Sequence, residues 1–68
     1  MTPAEFTAWL ALMRRERGLS EAACARLLGA GNNQPKRWRE HGAPPYIALA
    51  AAAIAAGLPP WRDPPPPP

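Results

Sequence analysis

Apolar residues near the start of the chain recur at the spacing of a helix. Four of them fall at i, i+3, i+4 and i+7 and therefore share one helical face: Phe6, Trp9, Leu10 and Met13. Thr2 can cap this helix, Pro3 suits its first position and Glu5 completes a capping box. Gly18 can end it in the left-handed conformation. The pattern predicts a first helix from Pro3 to the residue before Gly18, with its aromatic rings in the core.

A second, shorter helix is predicted between Ser20 and Gly29. Ser20 is a favoured N-cap residue, and Gly29 can end the helix. The predicted buried side consists of Ala23, Cys24, Leu27 and Leu28.

A third helix follows a sharp turn at Ala30-Gly31 and closes at His41-Gly42. We favour Asn32 as its N-cap, because Pro35 then lies in the first turn, where its missing N–H costs nothing. Trp38 is the predicted core anchor, with Pro35 one turn earlier on the same side. This rotation leaves five side chains pointing outward or at the helix tip: Asn32, Asn33, Gln34, Lys36 and Arg37.

A fourth helix is predicted from Tyr46 to Ala56, between Pro44-Pro45 and Gly57. Apart from the tyrosine it is Ala, Ile and Leu on every side, which is typical of a helix covered on more than one face. A domain of this size cannot enclose one of its own helices, so we expect a homodimer. An Ala-rich helix that is simply exposed is the alternative. The expected dimer contacts are Tyr46, Ile47, Ile54 and Leu58.

The composition changes after Leu58. Residues 59–68 are rich in proline, and such a segment does not pack as helix or sheet. We therefore divide the chain into one domain, residues 1–58, and a proline-rich tail, residues 59–68, which we expect to be disordered. Docking of the tail on an aromatic groove of a partner protein is the alternative.

Several classes of protein are disfavoured by composition. No signal peptide is visible, and the uncharged stretch 43–60 is too short in its helical part and too proline-bracketed to span a membrane, so a cytoplasmic protein is expected. With one histidine and no Asp before Asp63, no catalytic set is apparent, and we expect neither an enzyme nor a cofactor or metal. The single cysteine, Cys24, cannot form an internal disulfide and is predicted to be a small buried residue.

Positive charge is concentrated in the middle of the chain. Seven of the eight Lys and Arg residues lie between positions 14 and 39, where only Glu16 and Glu21 oppose them. Clustered basic charge on a small domain is typical of a protein that binds a polyanion. An ordinary solvated surface is the alternative.

The central part of the chain resembles a known family. The residues that carry the resemblance are Leu19-Ser20-Glu21, Ala25, Leu27-Leu28-Gly29, Arg37-Trp38, Gly42 and the stretch 44–49. They resemble the helix-turn-helix pattern of the Cro and phage-repressor proteins, the XRE-like family of phages and bacteria. The resemblance implies an all-α fold over residues 2–58, a compact bundle of four or five helices of the lambda-repressor-like kind. It also implies a sequence-specific transcriptional regulator that binds double-stranded DNA as a dimer.

The resemblance also implies which residues contact DNA. The helix after the turn enters the major groove with its N-terminal residues on base edges, and the matching positions are Asn32, Asn33, Gln34, Lys36 and Arg37. Asn and Gln pair with adenine, and Arg and Lys with guanine. Phosphate contacts are expected from Ser20, Arg39, Arg14, Arg15 and Arg17.

Three residues depart from the family pattern. Glu21 stands where Gln often contacts a phosphate, and a carboxylate there is repelled. Pro35 replaces a β-branched core residue, and Arg39 stands where Glu is common, which adds positive charge. The leading hypothesis is a small repressor or autoregulator that acts by occupying its operator. The alternative is a protein-interaction module in which the helix-turn-helix is a scaffold and the fourth helix or the tail binds a partner protein.

Overall fold

The computed structural model describes residues 1–64, and within them the chain forms four α-helices and no β-strand. The helices are α1 (Pro3–Arg17), α2 (Glu21–Leu27), α3 (Gln34–His41) and α4 (Pro45–Ala55). The predicted all-helical class is therefore confirmed. Residues 58–64 of the chain have no regular secondary structure, and the last four prolines of the predicted tail, residues 65–68, lie outside the described range.

Both predicted ends of α1 are confirmed. The backbone N–H of Thr2 donates to Glu5 Oε1 (2.8 Å), and the backbone N–H of Glu5 donates to Thr2 Oγ1 (3.1 Å). This reciprocal pair is a capping box, and its hydrogen bonds to the Glu5 carboxylate hold the pKa of that group below its usual value. At the other end Gly18 adopts a left-handed conformation and donates to the carbonyl of Arg14 (3.0 Å).

The aromatic residues of α1 form the centre of the core. Phe6 and Met13 are almost fully buried, Trp9 is buried beside them, and Leu10 is half-buried. The Phe6 ring meets the Trp38 ring of α3 edge to face, with 5.4 Å between centroids. Such aromatic pairs contribute about 0.5–1.5 kcal/mol beyond the burial of their area. The prediction that Trp38 anchors α3 to the core is confirmed.

A backbone carbonyl of α4 accepts a hydrogen bond from a side chain of α1. The indole N–H of Trp9 donates to the carbonyl of Ala51 (3.0 Å) in the buried interior. Ile47 and Ala51, one turn apart, form the buried stripe of α4. Ile47 was expected at a subunit contact, but it is only 3% exposed and fills the core of its own chain instead. None of the helices within residues 1–64 has both the length and the apolar character needed to cross a membrane.

The buried side of α2 differs from the predicted one. Cys24 and Ala25 are buried, whereas Leu27 is 56% exposed, so the prediction for Leu27 is wrong. At about 100° per residue, Leu28 lies between Cys24 and Ala25 on the helix circumference, and Leu27 falls outside that arc. The side of α2 that faces the core is therefore the one that carries the small side chains of Cys24 and Ala25.

Helix α3 begins one residue later than predicted. Its N-cap is Asn33 and not Asn32. The reason is the closure of α2, in which the backbone N–H groups of Gly29 and Ala30 donate back to the carbonyls of Arg26 (3.1 Å) and Ala25 (2.8 Å). This Schellman motif, with Gly29 at φ 71°, extends the end of α2 to residue 30. Pro35 still falls in the first turn of α3, where it removes no helical hydrogen bond.

A backbone clasp joins the start of the chain to the segment between α3 and α4. The backbone N–H of Ala43 donates to the carbonyl of Met1 (2.9 Å), and the Met1 amino group donates to the carbonyl of Ala43 (3.0 Å). Gly42 adopts φ 94° and ψ 163°, a region that only glycine occupies readily. A Cβ atom at Gly42 would lie 2.8 Å from the carbonyl oxygen of Met1. The clasp therefore requires glycine at this position.

We expect Gly42→Ala to lower the free energy of unfolding by at least about 2 kcal/mol, because alanine is strained in this conformation and would also displace the Met1 carbonyl. Urea titration followed by circular dichroism measures the change. Gly31→Ala is the matched control, since nothing lies within 4 Å of a Cβ at that position, and its effect should stay below about 1 kcal/mol. Equal stability of the two variants would contradict the strain assigned to Gly42.

Candidate nucleic-acid interface

The orientation of α3 is set by its two buried residues. Pro35 and Trp38 face the core, and the other six residues of the helix are exposed. At about 100° per residue, the positions farthest from this buried pair are 33, 36, 37 and 40. The outward direction of the helix is therefore occupied by one amide, two cationic side chains and one carboxylate.

All the predicted base-contacting residues are exposed and lie in or next to the first turn of α3. We call this set the α3 surface, and it consists of Asn32, Asn33, Gln34, Lys36 and Arg37. Asn33 is the N-cap residue, but its side chain makes no capping hydrogen bond, so its amide is not used to start the helix. Within residues 1–64, Lys36 and Arg37 form no ion pair. The α3 surface thus presents three amides and two cations to solvent.

The sequence interpretation missed Glu40. This residue is exposed and lies on the outward direction of α3, one turn after Lys36 and Arg37. Its position could have been found from the same helical rotation that placed Lys36 outward. A carboxylate repels phosphates and can accept a hydrogen bond from the cytosine amino group. On the outward direction of α3, Glu40 therefore places a negative charge after the cations Lys36 and Arg37.

The residues predicted to contact phosphate are divided among different parts of the structure. Ser20 is the N-cap of α2, where its Oγ accepts from the backbone N–H of Ala23 (3.1 Å). Arg15 is exposed on α1. Arg17 donates from Nη2 to the carbonyl of Ala55 (3.1 Å), so it binds the last turn of α4. This contact satisfies a carbonyl that the helix itself leaves without a donor.

Arg14 and Arg39 line the same small cavity with Glu21. The cavity has a volume of ≈ 210 Å³ and lies among α1, the start of α2 and α3. Arg39 Nε donates to Glu21 Oε1 at 2.7 Å. Two of the departures from the family pattern, Glu21 and Arg39, therefore compensate each other as an ion pair. The negative charge of Glu21 is thus paired with the positive charge of Arg39.

A larger groove lies on another part of the molecule. It has a volume of ≈ 1040 Å³ and runs between α4 and the irregular segment 58–64. Apolar side chains dominate its walls, among them Leu27, Ile54, Leu58 and Trp61. Two of the residues expected at a dimer contact, Ile54 and Leu58, are thus placed together. Tyr46 lies at the opposite end of α4 and is exposed.

The thiol of Cys24, the single cysteine of the chain, is buried. The pKa of the Cys24 thiol is raised by burial and, secondarily, by the negative charge of Glu21, so the thiol stays protonated and unreactive at neutral pH. Within residues 1–64, no three His, Cys, Asp or Glu side chains lie close enough together to hold a metal ion.

Comparisons with known proteins leave the family open. Neither protein-family models, nor curated proteins, nor solved structures gave a match to the chain. The proposal for its function therefore depends on the residues of the α3 surface and the basic cavity beside it.

Proposed function

We propose that this chain is a sequence-specific DNA-binding protein that regulates transcription by occupying its site, as a small repressor or autoregulator does, without catalysis. The observation that carries the proposal is the α3 surface, where amide and cationic side chains extend from a helix whose opposite face is fixed in the core by Trp38. The resemblance of the α2–α3 segment to the helix-turn-helix of Cro and phage repressors supports it.

The chemistry of the α3 surface suits the major groove. Amide side chains pair with the N6 and N7 atoms of adenine, and Arg and Lys pair with O6 and N7 of guanine. In a helix-turn-helix the N-terminal residues of the second helix reach these base edges. Along the outward direction of α3 the order is the same, with amides at the tip, Lys36 and Arg37 next and Glu40 after them.

Phosphate contacts would come from the basic residues beside α3. Arg14 and Arg39 line one cavity and Arg15 is exposed on the same helix as Arg14. Each phosphate neutralised in this way releases counterions, so affinity depends on salt. Arg17 is left out of this set because it binds the end of α4.

We also propose that two copies pair through α4. Tyr46 and Leu49 are 67% and 74% exposed and, three positions apart on α4, form one exposed apolar face. Leu58, in the groove at the other end of α4, is also exposed, whereas Ile47 is in the core and takes no part. A two-fold dimer would present two α3 surfaces to half-sites roughly 34 Å apart.

We expect Arg37→Ala and Asn33→Ala to relax base preference. Each good side-chain pair with a base contributes roughly 1–3 kcal/mol of discrimination, so each variant should lose about tenfold or more in the ratio of selected to random duplex affinity. Selection from a random DNA pool, followed by affinity measurement on the selected duplex, measures this ratio. Arg62→Ala is the matched control, because it removes an exposed arginine outside the central basic region. Unchanged selectivity in both α3 variants would contradict the assignment of Asn33 and Arg37 as base-contacting residues.

The salt dependence separates DNA binding from the alternative of a protein-interaction module. Between about 50 and about 200 mM salt, affinity for duplex DNA should fall at least about tenfold, and Arg14→Ala should reduce the logarithmic slope by about 1. Fluorescence anisotropy of a labelled duplex measures both quantities. No binding at the lower salt concentration would reject the proposal and favour the protein-interaction module.

The dimer is tested by a paired change, Tyr46→Glu with Leu49→Glu. Two carboxylates on the apolar face should raise the dimer dissociation constant by more than about tenfold, which corresponds to about 1.4 kcal/mol. Sedimentation equilibrium measures the constant. Ala8→Glu, on the exposed side of α1, controls for added charge. A wild-type chain that sediments as a monomer at all concentrations would contradict the pairing.

A further inference from the structure

We propose that Glu21 is a positioning residue: its carboxylate holds the guanidinium of Arg39 at the cavity shared with Arg14, and this arrangement binds one DNA backbone phosphate. The inference rests on the proposed function and deepens it, because it assigns to Glu21 a role opposite to the repulsion that its charge alone would suggest. It begins from the contact between Arg39 Nε and Glu21 Oε1 at 2.7 Å.

The ion pair does little for stability and leaves Arg39 partly exposed. The side chains of Arg39 and Glu21 are 41% and 44% exposed, and ion pairs with this exposure contribute little to folding. The contact uses Nε, which carries one of the five N–H donors of an arginine. Within residues 1–64, the Nη groups of Arg39 make no other hydrogen bond. A phosphate can therefore bind the Nη groups while Glu21 keeps Nε.

The cavity supplies the second cation and an apolar wall. Arg14 comes from α1, Arg39 from α3 and Glu21 from the first residue of α2, while Leu10 and Leu19 are half-buried beside them. The three charged groups sum to one net positive charge, which matches the single negative charge of a phosphodiester. The volume of ≈ 210 Å³ is large enough to hold a phosphate group.

Two opposing effects of Glu21 have to be weighed. Its charge repels a phosphate, but both groups are exposed to solvent, where salt screens the repulsion. An arginine that is free to rotate loses much side-chain entropy when a phosphate immobilises it. Glu21 already holds Arg39 in the ion pair before DNA arrives, so less of this entropy is lost on binding. We expect the reduced loss of side-chain entropy to outweigh the charge repulsion.

The test is the affinity of the full chain for a duplex of about 20 base pairs, two turns of B-DNA, measured by fluorescence anisotropy at two salt concentrations. Glu21→Gln should weaken binding about threefold to tenfold, although it raises the net charge above +3. Arg39→Ala should weaken binding at least as much, and the double variant should bind no more weakly than Arg39→Ala. Arg39→Lys should resemble Arg39→Ala, because an ammonium group cannot bridge a carboxylate and a phosphate with a planar fork.

Glu16→Gln is the matched control, since it makes the same chemical change on an exposed position of α1. It should leave affinity unchanged or slightly higher. Thermal unfolding of each variant shows whether a loss of binding reflects a loss of structure. If Glu21→Gln binds as tightly as the wild type or more tightly, Glu21 only repels the phosphate and the inference is rejected. If the wild type itself does not bind the duplex, the proposed function is rejected together with it.

Discussion

The edge-to-face contact between Trp38 and Phe6 determines what α3 can present to a ligand. An isolated helix of eight residues has little stability in water, so the position and rotation of α3 come from tertiary packing. Trp38 and Pro35 occupy one side of the helix and fix that rotation. The amides and cations on the opposite side are then directed to solvent. Loss of this one aromatic contact would remove the orientation of the whole α3 surface.

Local signals made the ends of most helices predictable. The capping box of Thr2 and Glu5, the left-handed Gly18 and the serine cap of α2 each involve residues within a few positions of one another. The exceptions arise where two elements share a turn. The Schellman closure of α2 extends through Ala30, which moves the start of α3 from Asn32 to Asn33.

The buried face of α2 was harder to predict. Seven residues complete fewer than two turns, so more than one rotation fits the apolar positions. The choice between burying Leu27 and burying Ala25 depends on how closely α1 and α3 approach, which is a tertiary property. The spacing of apolar residues along α2 therefore could not decide which rotation is correct.

The α3 surface could be predicted, but the surroundings of Arg39 could not. A tryptophan one turn after a proline was enough to orient α3. The pairing of Glu21 with Arg39 joins residues 18 positions apart and depends on how α2 and α3 are placed. Considered separately, their opposite charges predict opposite effects on an anionic ligand. The structure shows that they form one ion pair.

Helix α4 is held to α1 by hydrogen bonds that end on its main chain. Trp9 donates to the carbonyl of Ala51 and Arg17 to that of Ala55, and every residue type offers the same carbonyl. Outward side chains of α4 can therefore be exchanged during evolution without loosening its attachment. If α4 pairs two copies and α3 binds DNA, as proposed, closely related chains could acquire different pairing preferences while their α3 surfaces stay the same, which would prevent mixed assemblies within one cell.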